Sequence, residues 1–208
     1  MKAISNLFSW VLHPLLMVTY GSVVYFFLLP SEFQVYDDTI YYKILGLVFI
    51  STFLLPVIST LAMKRFGQVS SMKMEKQHER NWPLLQTAVI YFGAYYAIHS
   101  KAVPSFIQLF LLGSIIGILL SLAINLKWKI SLHMIGVGGL CGGVCAIMLT
   151  LGIGNPQIPA LCFLFAGILG TARLYLQAHT PAQILAGFLG GFIIEFGIIY
   201  FAFSAIGY

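Results

Sequence analysis

The chain has 208 residues, 60% of them hydrophobic and 8% charged, and its mean hydropathy is +0.94. Soluble domains carry about 25% charged residues, so this composition excludes a water-soluble globule, and it excludes a disordered chain, a coiled coil and collagen as well. The net charge of +5 does not point to nucleic acid, because the 11 Lys and Arg fall in short connectors between apolar runs and not along one face. They read as topology determinants and as ligands for anions.

A transmembrane helix needs about 20 apolar residues. Runs of that kind lie at 6–29, 41–63, 83–99, 104–126, 130–152, 158–177 and 181–206. The first is longer than a signal-peptide core and has no small-residue cleavage site, which predicts a retained helix. The third and fourth are kept apart because 84–122 is too long for one span, and Pro104 after Lys101 predicts a tight return between them. Between spans two and three lies KRFGQVSSMKMEKQHERN, Lys64 to Asn81, with five cations, two glutamates and a histidine. Its composition after Ser70 and Ser71 predicts an amphipathic helix lying in the interface, the alternative being a positive loop that only fixes topology. Glycines recur through the later spans, at Gly113 and Gly117, from Gly136 to Gly143, and at Gly187, Gly190 and Gly191. Small residues of this kind let helices approach closely in lipid. Cys141, Cys145 and Cys162 sit inside apolar stretches and read as packing residues. The expected fold is all-α: a polytopic transmembrane bundle of six to seven spans with one interfacial amphipathic segment, in a single integral membrane domain.

Ionisable residues near spans are costly and therefore candidates for function. Setting the connectors aside leaves Ser131 and His133 at the start of span five, Arg173 at the end of span six, His179 and Gln183 at the start of span seven, and Glu195 deep within it. His13 and His99 stand alone. With seven spans, the connector carrying Lys73 and Arg80, the pair Ser131 and His133, and the pair Arg173 and His179 all emerge on one membrane face. Two imidazoles, a hydroxyl and three cations on one face suit a phosphate group. Cations stabilise the oxygens of a transferring phosphoryl, one imidazole attacks phosphorus, and the other protonates the leaving oxygen. Acid clusters of the kind that hold magnesium are missing from the sequence, with only Glu75 and Glu79 nearby, so neither a metal nor a cofactor is expected.

The order and spacing of these residues resemble those of the type 2 phosphatidic acid phosphatases, membrane enzymes related to acid phosphatases and vanadium haloperoxidases. The family block K-x6-R-P is matched by Lys73 and Arg80, with proline two places late at Pro83; P-S-G-H is matched by Ser131 and His133, with Ile130 and Leu132 in place of Pro and Gly. In S-R-x5-H-x3-D the chain has Ala172, Arg173, His179 and Gln183. The resemblance covers about residues 70–190. It implies that His179 is the nucleophile, that His133 is the acid, and that Lys73, Arg80, Arg173 and Ser131 bind the phosphate of a lipid. The largest departure is Gln183 in place of the aspartate that orients the nucleophilic imidazole, because an amide supplies no charge. Glu75 or Glu79 are the better-placed candidate replacements, whereas Glu195 lies 16 residues of helix, about 24 Å, beyond His179.

Of the 11 Lys and Arg, nine fall on the face that carries these blocks and two, Lys43 and Lys101, on the other. The positive-inside rule then places the site on the cytoplasmic face, here expected to be that of a bacterial inner membrane. The functional expectation is a lipid phosphatase or lipid diphosphatase whose partners are lipid phosphates and membrane lipids, not nucleic acid. The alternatives are a noncatalytic relative that binds or moves anionic lipids, and a small transporter using Glu195.

Overall fold

A computed structural model describes residues 1–28, 38–72, 74, 76–99, 103 and 105–206. These residues form helices and turns without a strand. The helices are α1 (Lys2–Val11), α2 (Met17–Leu28), α3 (Asp38–Phe49), α4 (Leu55–Arg65), α5 (Asn81–His99), α6 (Ser105–Asn125), α7 (Leu132–Thr150), α8 (Gln157–Tyr175) and α9 (Pro181–Ile206). Among the described residues six helical stretches are long and apolar enough to cross a membrane: 2–28, 39–65, α6, α7, α8 and 181–205. Helix α5 has 19 residues, about 28 Å at 1.5 Å per residue, and completes a bundle of six to seven spans.

The first predicted span is not continuous. Pro14 has no N–H to donate and pushes His13 to an extended backbone (φ −67°, ψ 136°), so α1 ends at Val11 and a 3-10 turn, Pro14–Leu16, leads into α2. Helix α1 turns away to pack on α8, whereas α2 packs on α7. The buried face of α1 holds Ser5 and Ser9, while Ile4, Leu7, Trp10 and Val11 point outward. An amphipathic helix with its apolar side outward suits a lipid surround.

Proline leaves a second mark inside the next span, where a π-helical turn, Ile50–Leu54, joins α3 to α4. Pro56 removes the N–H that would have bonded the Thr52 carbonyl four residues back. The hydroxyl of buried Tyr91, from α5, donates to that carbonyl instead at 2.9 Å.

Helix α7 is the most enclosed of the spans and packs most extensively on α9. The two run parallel, with α8 returning between them in sequence. Glycine makes this contact possible, because a Cβ at Gly138 or Gly142 would collide with the carbonyls of Phe188 or Phe192, and one at Gly191 would collide with that of Ile135. The packing reading of the later glycines therefore holds at the centre of the bundle. Cys141 and Cys162 are buried free thiols, as expected of packing residues.

The connector after α4 differs from the expected interfacial helix. Its described residues form turns and bends up to a 3-10 turn at Gln77–Arg80, with Gly67 and Met74 at positive φ (74° and 44°), which no helix accommodates. The return between α5 and α6 is real, since α5 stops at His99 and α6 starts at Ser105, while Pro104 itself lies outside the described residues. His99 stacks on Tyr95 and pairs with Gln108 at 3.1 Å across that return, which gives this lone histidine a structural role.

Candidate active site

Three chain segments bring the predicted residues to one end of the bundle. The first is the 3-10 turn carrying Arg80. Buried Asn125, at the end of α6, donates to the Gln77 carbonyl (2.8 Å) and to Asn81 Oδ1 (2.9 Å), and its own carbonyl accepts from the Gln77 amide. Clamped in this way, Arg80 is 7% exposed and donates from Nε to the Met74 carbonyl at 3.0 Å. Burial, and then the charge of Arg173, lower its guanidinium to about 10, so it stays charged at neutral pH.

The second segment is the turn from α8 into α9. The Ala178 N–H donates to the Arg173 carbonyl (3.1 Å) and the Gln177 N–H to that of Leu174 (2.8 Å), the two bonds of a Schellman motif. Gln177 occupies the left-handed position (φ 50°) where glycine is usual. Replacing it by glycine is expected to raise the melting temperature in detergent, by relieving about 1 kcal/mol of backbone strain. A lowered melting temperature would show that the Gln177 side chain has a role of its own.

Helix α9 then opens with a capping box. The Thr180 hydroxyl accepts from the Gln183 N–H (3.4 Å), Gln183 Oε1 accepts from the Thr180 N–H (3.2 Å), and Pro181 occupies the first helical position. The same Oε1 lies 3.0 Å from His179 Nδ1. Because a backbone N–H already requires an acceptor there, the oxygen faces His179 and Nδ1 carries the ring proton. Nε2 of a neutral His179 is left with the lone pair. Burial lowers the imidazole to about 4, opposed by the Gln183 bond and reinforced by the charges of Arg173, Arg80 and Lys129. His179 is therefore neutral at pH 7.

The third segment is the start of α7, where His133 Nε2 lies 3.1 Å from the Ser9 carbonyl. A carbonyl only accepts, so Nε2 carries a proton. Arg173 Nη1 also donates to the Ser9 hydroxyl, at 3.3 Å, and its buried Nε has no partner among the described residues. His13, which looked isolated in the sequence, lies 5.6 Å from the His133 ring.

Arg80, Arg173, His133, His179 and His13 line one cavity of about 200 Å³. The predicted cluster is thus largely brought together, with two exceptions and two residues outside the described ones. Ser131 is wholly buried and does not line the cavity; its hydroxyl has no partner among the described residues, and its carbonyl lies against Gly187. Glu79 accepts from Ser70 at 2.8 Å and is also absent from the cavity wall, so it does not replace the missing aspartate. Lys73 and Glu75 lie outside the described residues. The sequence reading missed Ser9, His13, Asn125 and Lys129. The dipeptide His13-Pro14 was the available signal for the first two, since it breaks the helix and turns α1 back over the site.

Compared with known protein families, curated proteins and solved structures, the chain gives no significant match.

Proposed function

We propose that the protein is an integral membrane lipid phosphatase of the type 2 phosphatidic acid phosphatase kind, hydrolysing a lipid phosphate or polyprenyl diphosphate through a phosphohistidine. The observation that carries this reading is His179, a neutral imidazole with its Nδ1 proton held by Gln183, lining a cavity that it shares with two guanidinium groups and a second imidazole. In the proposed reaction His179 Nε2 attacks phosphorus and the bond from phosphorus to the lipid oxygen breaks. Arg80 and Arg173 hold the nonbridging oxygens, a role that the resemblance extends to Lys73. His133, protonated on both ring nitrogens once the anionic ester is bound, gives its Nε2 proton to the leaving oxygen, which takes the place of the Ser9 carbonyl, and it takes a proton back from the water that then releases phosphate from His179. The nine basic residues on the site's face against two on the other support a cytoplasmic orientation of the proposed site.

A specific pH behaviour follows. The ordinary histidine value of about 6.5 lies above the value of about 4 in the fold. Between them the unfolded chain binds the extra proton, so stability from this residue is lost as pH falls from 6.5 toward 4. Added vanadate or phosphate offsets the Arg80 and Arg173 charges and is expected to move the His179 midpoint upward. Imidazole NMR, with His179 assigned by its loss in His179→Gln, checks this. A midpoint unmoved by either anion would mean that neither binds beside His179.

A second reading, a noncatalytic protein that binds anionic lipids, is favoured by Ser9, which engages both His133 and Arg173. Phosphate release by the purified protein from phosphatidic acid, phosphatidylglycerophosphate and polyprenyl diphosphate separates the two. Release that vanadate inhibits supports the phosphatase. Absence of release, together with an anion-dependent His179 shift, supports the binder.

A further inference from the structure

The cavity does not stop at the cluster. Its wall continues between α6, α7 and α9 down to Glu195, which is 3% exposed. Parallel packing of α7 and α9 gives the depth. Gly187 abuts Ser131, Gly191 abuts Ile135 and Gly139 abuts Glu195, a constant register along both helices. Glu195 therefore lies eight residues beyond the level of Ser131, about 12 Å deeper at 1.5 Å per residue.

The carboxyl is built in and only half used. Ser114 donates to Oε1 at 3.0 Å, whereas buried Oε2 has no partner among the described residues. Gly113 makes room for it, because a Cβ there would overlap Oε2, and Gly139 lies against the Cγ. A polar atom buried without a partner has lost its water and gained nothing in exchange, which is costly. That cost is removed by a ligand group able to hydrogen-bond at the cavity floor. A hydroxyl serves best, since it donates to a carboxylate and accepts from a carboxylic acid.

We propose that the cavity floor is a second binding site, which takes a hydroxyl group carried on the tail of an amphiphilic phosphate ester, about 12 Å below the Ser131 level. The proposal rests on the phosphate reading of the cluster. An extended chain covers roughly 1.2 Å per bond, from the 3.3–3.6 Å spanned by the three bonds of a residue, so the depth from the Ser131 level to the floor takes about ten bonds. A terminal hydroxyl on an eight-carbon chain has that reach. A plain alkyl chain would press methylenes against the carboxyl and leave Oε2 unpaired.

The test compares octyl, 4-hydroxyoctyl and 8-hydroxyoctyl phosphate by isothermal titration of the full chain in detergent, with inorganic phosphate as competitor. The 8-hydroxy compound is expected to bind about tenfold more tightly than the other two, the factor that one net hydrogen bond of about 1.4 kcal/mol supplies. Glu195→Gln is expected to keep the advantage and Glu195→Leu to abolish it. Equal affinities in the wild type, or an advantage unchanged in Glu195→Leu, would overturn the proposal. If the leucine variant does not fold, the wild-type contrast between the 4- and 8-hydroxy compounds decides. If none of the three competes with inorganic phosphate, the cluster reading has failed, and 1,8-octanediol against octanol then decides the floor by itself. Tighter binding of the diol upholds the floor site and equal binding overturns it.

Discussion

His179→Ala is expected to abolish phosphate release, by on the order of 10³-fold or more, whereas Gln183→Glu is expected to raise it about tenfold. The first expectation follows from the place of Nε2 in the proposed reaction: without the imidazole no covalent intermediate forms, and water must attack a bound ester unaided. The second follows from the capping box. Gln183 reaches the His179 Nδ1 proton and the Thr180 N–H through one oxygen. Glutamate has the same length and keeps both bonds, and it adds a charge that stabilises the imidazolium formed on attack. That charge also sits in the first turn of α9, where the helix dipole favours an anion. Aspartate is one methylene shorter and is expected to gain less, although it is the residue found in the resembling family. Steady-state release at saturating lipid from the three variants and the wild type checks the order. If His179→Ala retained wild-type release, the nucleophile assignment would be lost. If Gln183→Glu fell below the wild type with His179 still neutral, the Gln183 oxygen would be doing no more than capping a helix.

The second large effect concerns stability. Gly191→Ala is expected to cost about 3 kcal/mol, the upper part of the range for overpacking, because the added methyl would meet the Ile135 carbonyl and the next turn of α7, which are backbone and cannot rotate away. Its neighbour Gly190 is an internal control. A Cβ at Gly190 meets nothing within 4 Å, so Gly190→Ala is expected to be neutral or stabilising by up to about 1 kcal/mol through helix propensity. Thermal unfolding in detergent distinguishes adjacent residues of identical chemistry. Equal melting temperatures for the two variants would mean that α7 and α9 do not pack as closely as described.

The outline of the fold was legible because composition alone forces apolar runs of span length to become helices in lipid. Glu195 could be placed deep in the last helix by counting, yet no count shows that it shares a cavity with His179, because that depends on the register of α9 against α7. His13 was discounted as a lone histidine. Its meaning came from Pro14, whose effect on local backbone is readable, while the direction in which α1 then travels is a matter of tertiary packing. The connector misled for a related reason. Lys76 to Arg80 has helix-compatible composition, but Asn125, far off in sequence, ties Gln77 and Asn81 into a turn that aims Arg80 at the site. Gln183 was readable in two ways at once. Spaced three residues after Thr180 it marks a helix start, and spaced four after His179 it marks a partner for the ring; the structure has it doing both with one oxygen.

The parallel contact of α7 and α9 also orders the assembly of the protein during synthesis. Helix α7 enters the membrane before its main neighbour exists, and its glycine face stays open until α8 has crossed back and α9 has followed. His179 and the packing partner of α7 arrive together on that last segment. A nascent chain interrupted before residue 181 would thus hold its other spans and yet have neither a closed centre nor an ordered His179, so the cavity is completed only when the last segment has inserted.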